Sequence, residues 1–188
     1  MDGQPRIIVG LNAVEESKQW VNLDDAVMGG LSRSQVVATD RNTAVFFGNV
    51  SLAHRGGFAS VRAKLAAGSM RGTEGLRLRV RGDGRRYRLR LRTDGRLDGP
   101  TYEVSFKTEP NAWMEVRAPF ERFTLTYRGR PLRRTSPLRP ERIQQIGLMV
   151  ADGQVGPFKL EIDWIAAFDV ERDLTRTLLQ MAEPTAAA

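Results

Sequence analysis

The chain has 188 residues, 41% of them hydrophobic, no cysteine and a formal net charge of +7 at pH 7. This length suits one domain that buries about 70% of its unfolded surface, so that neither a disulfide nor a metal is needed for stability. The lack of cysteine excludes thiolate catalysis, iron–sulfur clusters and thiolate zinc sites.

The positive charge comes mostly from arginine, with 25 Arg against 4 Lys. A genome rich in G and C would explain this bias, as would a partner that is nucleic acid or an acidic protein surface. No stretch approaches the roughly 20 apolar residues that span a bilayer, and the segment MDGQPRIIVG lacks the apolar run of a secretory signal. We therefore expect a soluble protein of the cytoplasm or of an equivalent organelle compartment.

Alternating or β-branched runs separated by turn residues predict an all-β chain. Turn signals such as Asp94-Gly95 and Asp152-Gly153 divide these runs, and βαβ units are absent from the pattern. Many short strands of this kind predict a β-sandwich or barrel. The predicted strands cover residues 6–9, 34–39, 43–51, 57–64, 75–82, 85–93, 101–108, 113–118, 122–127, 145–151 and 157–168.

The loop after Trp20 combines Asp24 and Asp25 with the glycine pair Gly29-Gly30. Glycine adopts backbone angles closed to other residues, so we predict a sharp turn after Met28. The two carboxylates could accept backbone N–H bonds in that turn, or one could receive a guanidinium fork from an arginine of the sheet: Arg62, Arg88 or Arg90.

The most regular alternation runs from Gly75 to Thr93, with a turn at 82–84. Successive strand residues point to opposite faces, so the pattern predicts a hairpin with one apolar and one guanidinium face. The seven arginines of that predicted face are Arg77, Arg79, Arg81, Arg86, Arg88, Arg90 and Arg92. They would form an ion-pair lattice if Glu103, Glu161 and Asp163 neutralise them, and otherwise a cationic platform for an acidic partner.

Two segments break the strand pattern. Residues 128–142 hold three prolines and six arginines and are predicted to form an exposed loop. Leu174, Leu178 and Met181 have helical spacing, which predicts a short helix before Pro184. We therefore predict a sandwich domain over residues 1–169, followed by a C-terminal helix and frayed tail over residues 170–188.

No catalytic constellation is visible in the sequence. The single histidine, His54, has no motif around it, and neither a Walker loop nor a dinucleotide-binding fingerprint occurs. No ordered run of metal ligands is present either. We expect a protein that is not an enzyme and has no catalytic residue, cofactor or metal.

Residues 27–34 (VMGGLSRS) and 56–62 (GGFASVR), in this order, resemble the complex I intermediate-associated protein family. Further matching segments extend the resemblance over residues 20–168. The resemblance implies a galactose-binding-like jelly roll without enzymatic activity, in a stand-alone member of bacterial type. Mitochondrial relatives act as assembly chaperones of respiratory complex I, and plastid relatives help to assemble photosynthetic complexes.

We accordingly predict a non-enzymatic assembly factor that binds subunits or intermediates of a membrane-bound electron-transfer complex. The alternatives are a carbohydrate-binding module, by analogy of fold, and an RNA-binding protein that uses the arginines together with Tyr87 and Tyr102. The predicted partner-binding residues are Asp24, Asp25, Met28, Gly29, Gly30, Ser32, Arg62, Arg77, Arg79, Arg86, Arg88, Arg90 and Arg92.

Overall fold

A computed structural model describes residues 6–9, 18–96, 98–133 and 136–169. Within these residues the chain forms thirteen strands and four short 3-10 helices. The strands are β1 (Arg6–Val9), β2 (Val21–Asn22), β3 (Arg33–Ala38), β4 (Ala44–Val50), β5 (Ala59–Lys64), β6 (Gly75–Arg81), β7 (Arg86–Arg92), β8 (Thr101–Lys107), β9 (Trp113–Pro119), β10 (Thr124–Tyr127), β11 (Arg130–Pro131), β12 (Gln145–Val150) and β13 (Gly156–Phe168). The 3-10 helices are Asp25–Met28, Ala53–Arg55, Phe120–Arg122 and Pro140–Arg142.

The strands form two antiparallel sheets that pack into a sandwich. The first sheet has the order β3-β4-β13-β6-β9, with β1 also paired to β13. The second sheet has the order β11-β10-β8-β7-β12-β5-β2. The all-β jelly-roll fold class predicted from the sequence is confirmed, and the eleven predicted strands agree with observed ones to within two residues at either end.

The core lies between the two sheets and is made by the inward side of each alternating strand. Leu76, Leu78 and Val80 of β6, like Leu89 and Leu91 of β7, are fully buried. An aromatic cluster joins the two layers, because the ring of Tyr87 on β7 lies 6.5 Å from those of Phe46 on β4 and Phe158 on β13. The alternation therefore identified the buried faces of β6 and β7 correctly.

The predicted hairpin of residues 75–93 is wrong. β6 pairs with β13 and β9 in the first sheet, whereas β7 pairs with β8 and β12 in the second. The connection between them crosses from one sheet to the other, and Gly84 takes the left-handed φ of +90° there. The alternation of apolar and charged residues assigns side chains to one face of a strand. It carries no information on which strand is the hydrogen-bonded neighbour, so two consecutive strands can lie in different sheets on opposite sides of the core.

Three other segments differ from the expectations or lie outside the description. The two-residue strands β2 and β11 were not predicted, and β11 lies in the segment 128–142 that was predicted as an irregular loop. The predicted C-terminal helix lies outside the described residues, so the boundary at residue 169 stays a prediction. Of the helices in the described parts of the chain, none is long and apolar enough to cross a membrane.

Candidate functional site

The loop between β2 and β3 has a fixed shape set by its glycines and by a short 3-10 helix. The helix Asp25–Met28 ends at Gly29, whose φ of +88° is left-handed. The Gly29 N–H donates to the Ala26 carbonyl at 3.1 Å, and the Gly30 N–H donates to the Asp25 carbonyl at 3.0 Å. The sharp turn predicted after Met28 is confirmed.

Asp25 is fully buried and holds this loop against the start of β5. Its Oδ1 accepts the backbone N–H of Ser32 at 2.9 Å. Its Oδ2 accepts the Ser32 hydroxyl at 2.5 Å and the backbone N–H groups of Gly57 at 2.6 Å and Phe58 at 3.2 Å. Four donors thus surround one buried carboxylate, which satisfies a charge that would otherwise be costly to bury.

Two glycines leave room for this carboxylate. A Cβ at Gly30 would lie 2.3 Å from Oδ1 of Asp25, and a Cβ at Gly56 would lie 2.6 Å from its Oδ2. Any side chain at either position would displace the carboxylate from its donors. One glycine of each pair in the two motifs, 29–30 and 56–57, is therefore explained by the packing of Asp25.

Asp24 joins the two sheets at their edge. Its Oδ2 accepts the backbone N–H of Ser34 on β3 at 2.7 Å, and its Oδ1 accepts the backbone N–H of Ser60 on β5 at 2.8 Å. The Ser34 hydroxyl donates to Oδ1 at 2.5 Å. Because β3 belongs to the first sheet and β5 to the second, the Asp24 carboxylate is a direct polar bridge between them.

The expectation that Asp24 and Asp25 accept backbone N–H bonds is confirmed, although several of the donors belong to the segment 57–60 rather than to the turn itself. The alternative of a guanidinium fork is wrong, because the carboxylates are surrounded by serine and backbone donors. Ser34 and Ser60 were missed as parts of the site. The spacing of Ser32 and Ser34 on one face of a strand behind two aspartates was the available signal.

The acidity of Asp25 follows from these contacts. Burial by itself would raise the pKa of Asp25, but the hydrogen bonds from the Ser32 hydroxyl and from the amides of Gly57, Ser32 and Phe58 outweigh it and hold the pKa below its ordinary value of 3.8. The carboxylate is therefore ionised at neutral pH and acts as a permanent acceptor.

We call the carboxylates of Asp24 and Asp25 together with their hydrogen-bond donors the clamp. Outside the clamp, the same loop presents apolar side chains to solvent. Val27 is 73% exposed, Met28 63% and Leu31 51%. Leu52 is 54% exposed and directly follows Ser51. The N–H of Ser51 donates to the hydroxyl of Ser32 at 3.0 Å, and Ser32 is the residue after Leu31. We call Val27, Met28, Leu31 and Leu52 the apolar patch. The buried carboxylates of Asp24 and Asp25 hold the loop in place, and its apolar side chains are exposed to solvent. Loops that contact another molecule often combine these two features.

The predicted arginine face does not exist as one surface, because β6 and β7 lie in different sheets. On the first sheet the arginines of β6 meet acidic neighbours. Arg77 lies 3.5 Å from Glu115, Arg79 3.4 Å from Asp163, and Arg81 Nε donates to Glu161 at 3.1 Å. The guanidinium of Arg81 also lies 5.0 Å from the ring centre of Trp113.

On the second sheet the arginines of β7 are paired as well. Arg88 donates to Glu103 at 2.8 Å and also pairs with Asp152. Arg90 lies 3.5 Å from the same Glu103. Arg92 is 3% exposed and lies 3.0 Å from Asp94, whereas Arg86 is exposed at the start of the strand.

The ion-pair lattice expected from Glu103, Glu161 and Asp163 is confirmed, and the alternative of one continuous cationic platform is wrong. The exposed pairs, such as Arg79 with Asp163, contribute about 0–1 kcal/mol each. The largely buried pairs, such as Arg88 with Glu103, neutralise charges that would otherwise be costly to bury. Arg62 lies on the outer face of β5, in register with Gly147 of β12. The predicted binding residues thus fall on three separate surfaces: the loop, the first sheet and the second sheet.

The tyrosines expected to stack on RNA bases are buried. Tyr87 is 0% exposed and donates its hydroxyl to Asp83 at 2.9 Å, and Tyr102 is 8% exposed and donates to the Ser136 carbonyl at 2.9 Å. His54 lies in an exposed turn. In the described ranges, no group of three or more His, Asp or Glu residues is placed to hold a metal ion.

Comparison with known proteins adds a family match. The model of the family described as Complex I intermediate-associated protein 30 matches residues 9–162. A protein of Caenorhabditis briggsae named probable complex I intermediate-associated protein 30, mitochondrial, is 30% identical over 88% of this chain and 55% of its own length. The corresponding mouse protein is 27% identical over 88% of this chain and 56% of its own length. The chain thus spans somewhat more than half the length of these curated relatives.

Solved structures of similar fold are carbohydrate-binding modules. The family 11 module of cellulosomal cellulase Lic26A-Cel5E of Clostridium thermocellum superposes with a TM-score of 0.68 at 15% identity, covering 90% of this chain and 97% of the module. A point mutant of a family 29 module superposes with a TM-score of 0.52 at 13% identity, covering 86% of this chain and 90% of the module. At such identities the similarity concerns the fold alone.

Proposed function

Because the chain belongs to the complex I intermediate-associated protein 30 family, we propose that it is a non-enzymatic assembly factor for a membrane-bound electron-transfer complex of the complex I type. It would bind subunits or assembly intermediates on the aqueous side of the membrane. The names of its relatives associate those proteins with complex I intermediates and with mitochondria. We call the protein that this chain would bind its client. The identity of the client's complex, and the compartment in which this chain works, are parts of the proposal.

The observation that carries this proposal is the rigid presentation of the apolar patch. Val27, Met28 and Leu31 are exposed, while the carboxylates of Asp24 and Asp25 fix the loop that bears them. A loop that is ordered before binding loses little conformational freedom on association, which favours affinity. Of the predicted binding residues, Met28 would contact the client directly, and Asp24, Asp25, Gly29, Gly30 and Ser32 would position the loop.

The arginines of the two sheets contribute less in this proposal. Arg77, Arg79, Arg88 and Arg92 already have carboxylate partners within 3.5 Å, so a client would have to displace those acids. Arg86 is exposed, and it remains a candidate for a contact at the rim of the interface.

An affinity pull-down with the tagged chain, from membranes solubilised in a mild detergent, tests the proposal. We expect the subunits of one electron-transfer complex to be recovered. The combined variant Val27→Ser, Met28→Ser, Leu31→Ser should reduce that recovery at least tenfold, because it removes the apolar contact and leaves the clamp residues in place.

The matched control is the combined variant Val37→Ser, Val155→Ser, which removes two valines that are 45% and 51% exposed outside the patch. It should bind the client as the parent chain does. Recovery of ribosomal proteins alone, or an equal loss in the control variant, would contradict the proposal. Binding on a glycan array would favour the carbohydrate-binding alternative instead.

A further inference from the structure

The outer face of the second sheet has a gap between two arginines. In β12, Gly147 pairs directly with Arg62 of β5 on one side and with Arg90 of β7 on the other. Directly paired residues of neighbouring strands point to the same face of a sheet. The two guanidinium side chains therefore flank a position that has no side chain of its own.

The gap is a small recess in the surface. Its lining includes Arg62, Arg90, Arg92, Gln145 and Gly147. Its volume of about 10 Å³ is close to the least that holds one water-sized atom. One oxygen atom fits there, whereas a sugar ring does not.

The recess is electropositive. Burial lowers the pKa of Arg62 to about 10, and the charges of Arg92 and Arg90 act in the same direction, against the opposing effect of Asp94. Burial also lowers the pKa of Arg90, where Glu103 opposes it and Arg88 and Arg92 add to it. Several guanidinium groups are thus held close together in partly desolvated surroundings, where an added negative charge is strongly favoured.

Arg90 has hydrogen-bonding capacity left over. Its buried Nε lies 3.5 Å from Glu103 but makes no hydrogen bond within the described residues. Glu103 is engaged more closely by Arg88, at 2.8 Å. Glu103 therefore serves two arginines, of which Arg88 has Asp152 as a second partner, so a further carboxylate beside Arg90 would give Arg90 a closer partner than Glu103.

We propose that this recess binds a single carboxylate, supplied by an aspartate or glutamate side chain of the client protein. One carboxylate oxygen would sit between the guanidinium groups of Arg62 and Arg90, outward of the Gly147 Cβ position, which lies 2.8 Å from the Val61 carbonyl oxygen. The identity of the client rests on the function proposed above, whereas the anion site itself stands on the geometry of the second sheet.

A protein carboxylate matches the recess better than a nucleic acid does. Single-stranded nucleic acid is held by a charged groove together with aromatic side chains on which its bases stack. Tyr87 and Tyr102 of this sheet point into the core. The third tyrosine, Tyr127 at the end of β10, is half-buried away from the recess, with its hydroxyl donating to Asp98 at 3.4 Å and the Arg128 guanidinium 5.3 Å from its ring centre. A carboxylate needs only a pocket for one oxygen and a guanidinium fork, and both are present.

The test is an NMR titration of the whole chain with a hexaglutamate peptide, with hexaglutamine as the neutral control. We expect saturable shifts of the Gly147 amide and of the Nε–H signals of Arg62 and Arg90. Arg62→Gln should weaken binding at least tenfold. Arg62→Lys keeps the charge but loses the fork, and should weaken it at least threefold. The matched control Arg117→Gln, at an exposed position of β9 in the first sheet, should stay within twofold of the parent chain.

Thermal melts of each variant show whether the fold is kept, and if Arg62→Gln does not fold, Arg62→Lys provides the readout. Unchanged binding by the Arg62 variants, or equal weakening by Arg117→Gln, would overturn the site in favour of diffuse attraction to a basic protein. Stronger shifts with a decauridine RNA than with the peptide would overturn the choice of a carboxylate. The titration contains no client, so its result is independent of the pull-down.

Discussion

The carboxylate of Asp25 is buried and ionised, and it stabilises the fold because protein donors replace the water it has lost. Each hydrogen bond to a charged group contributes about 1.5–3 kcal/mol, and an unsatisfied buried partner costs about 1–3 kcal/mol. Asp25 accepts four such bonds from Ser32, Gly57 and Phe58. A single side chain therefore connects two segments that are 25 residues or more apart in the sequence.

Replacing Asp25 by Asn should lower the free energy of unfolding by about 2–4 kcal/mol. An amide offers one oxygen where the carboxylate offers two, so its NH₂ group would face either the Ser32 N–H or the donors on Oδ2. Urea unfolding at pH 7 measures the change. Asp40→Asn, at an exposed turn position, is the matched control and should lie within about 0.5 kcal/mol of the parent chain. Equal stability of the two variants would contradict the role of Asp25.

The pH dependence of stability follows from the same contacts. Burial alone would raise the pKa of Glu161, but hydrogen bonds from Arg81 and Thr43 outweigh it, so that the pKa of Glu161, like that of Asp25, lies below its ordinary value. The unfolded chain then binds more protons than the folded one at acidic pH. The stabilisation is present above the ordinary carboxyl pKa and is lost as the pH falls through the lowered one.

We therefore expect the parent chain to lose stability steeply below about pH 5. Urea unfolding at pH 7, 5, 4 and 3 measures this loss. Asp25→Asn should lose less over the same range, so that the two unfolding free energies converge on acidification. Parallel curves would show that Asp25 has the same pKa in both states.

At the scale of elements, the sequence predicted the strands and their buried faces but not their partners. The alternation of Leu and Arg in residues 75–81 and 86–92 correctly placed the leucines in the core. It could not show that β6 and β7 belong to different sheets, because pairing depends on contacts far apart in the sequence. The short strands β2 and β11 were missed because two residues are too few for a period-2 signal.

The bridge made by Asp24 between β3 and β5 gives a prediction at this scale. Asp24→Ala should leave the backbone N–H groups of Ser34 and Ser60 without acceptors and loosen the edge of the sandwich. Amide hydrogen exchange should accelerate at both positions by more than tenfold, while amides of β7, in the interior of the second sheet, change much less. An unchanged exchange rate at Ser34 and Ser60 would show that the two edges are held without Asp24.

At the scale of the whole molecule, the arginines of β6 and β7 are distributed over the outer faces of two sheets and largely paired with acids. The acids Glu103, Glu161 and Asp163 could be named from the sequence, because they occur in predicted strands and carry the opposite sign. The separation of the arginines onto two faces could not be predicted from the sequence, because it follows from the crossing of the chain between the sheets. The donors of the Asp24 and Asp25 clamp needed the three-dimensional fold, because residues 57–60 approach the loop only in the folded sandwich.

The bridge of Asp24 also has a consequence for the newly made chain. The loop acquires its shape only when the two layers have come together, because one of its anchoring amides comes from each layer. If the apolar patch binds a client as proposed above, an incompletely folded molecule would lack the ordered loop that presents it. Binding would then depend on completed folding of both sheets.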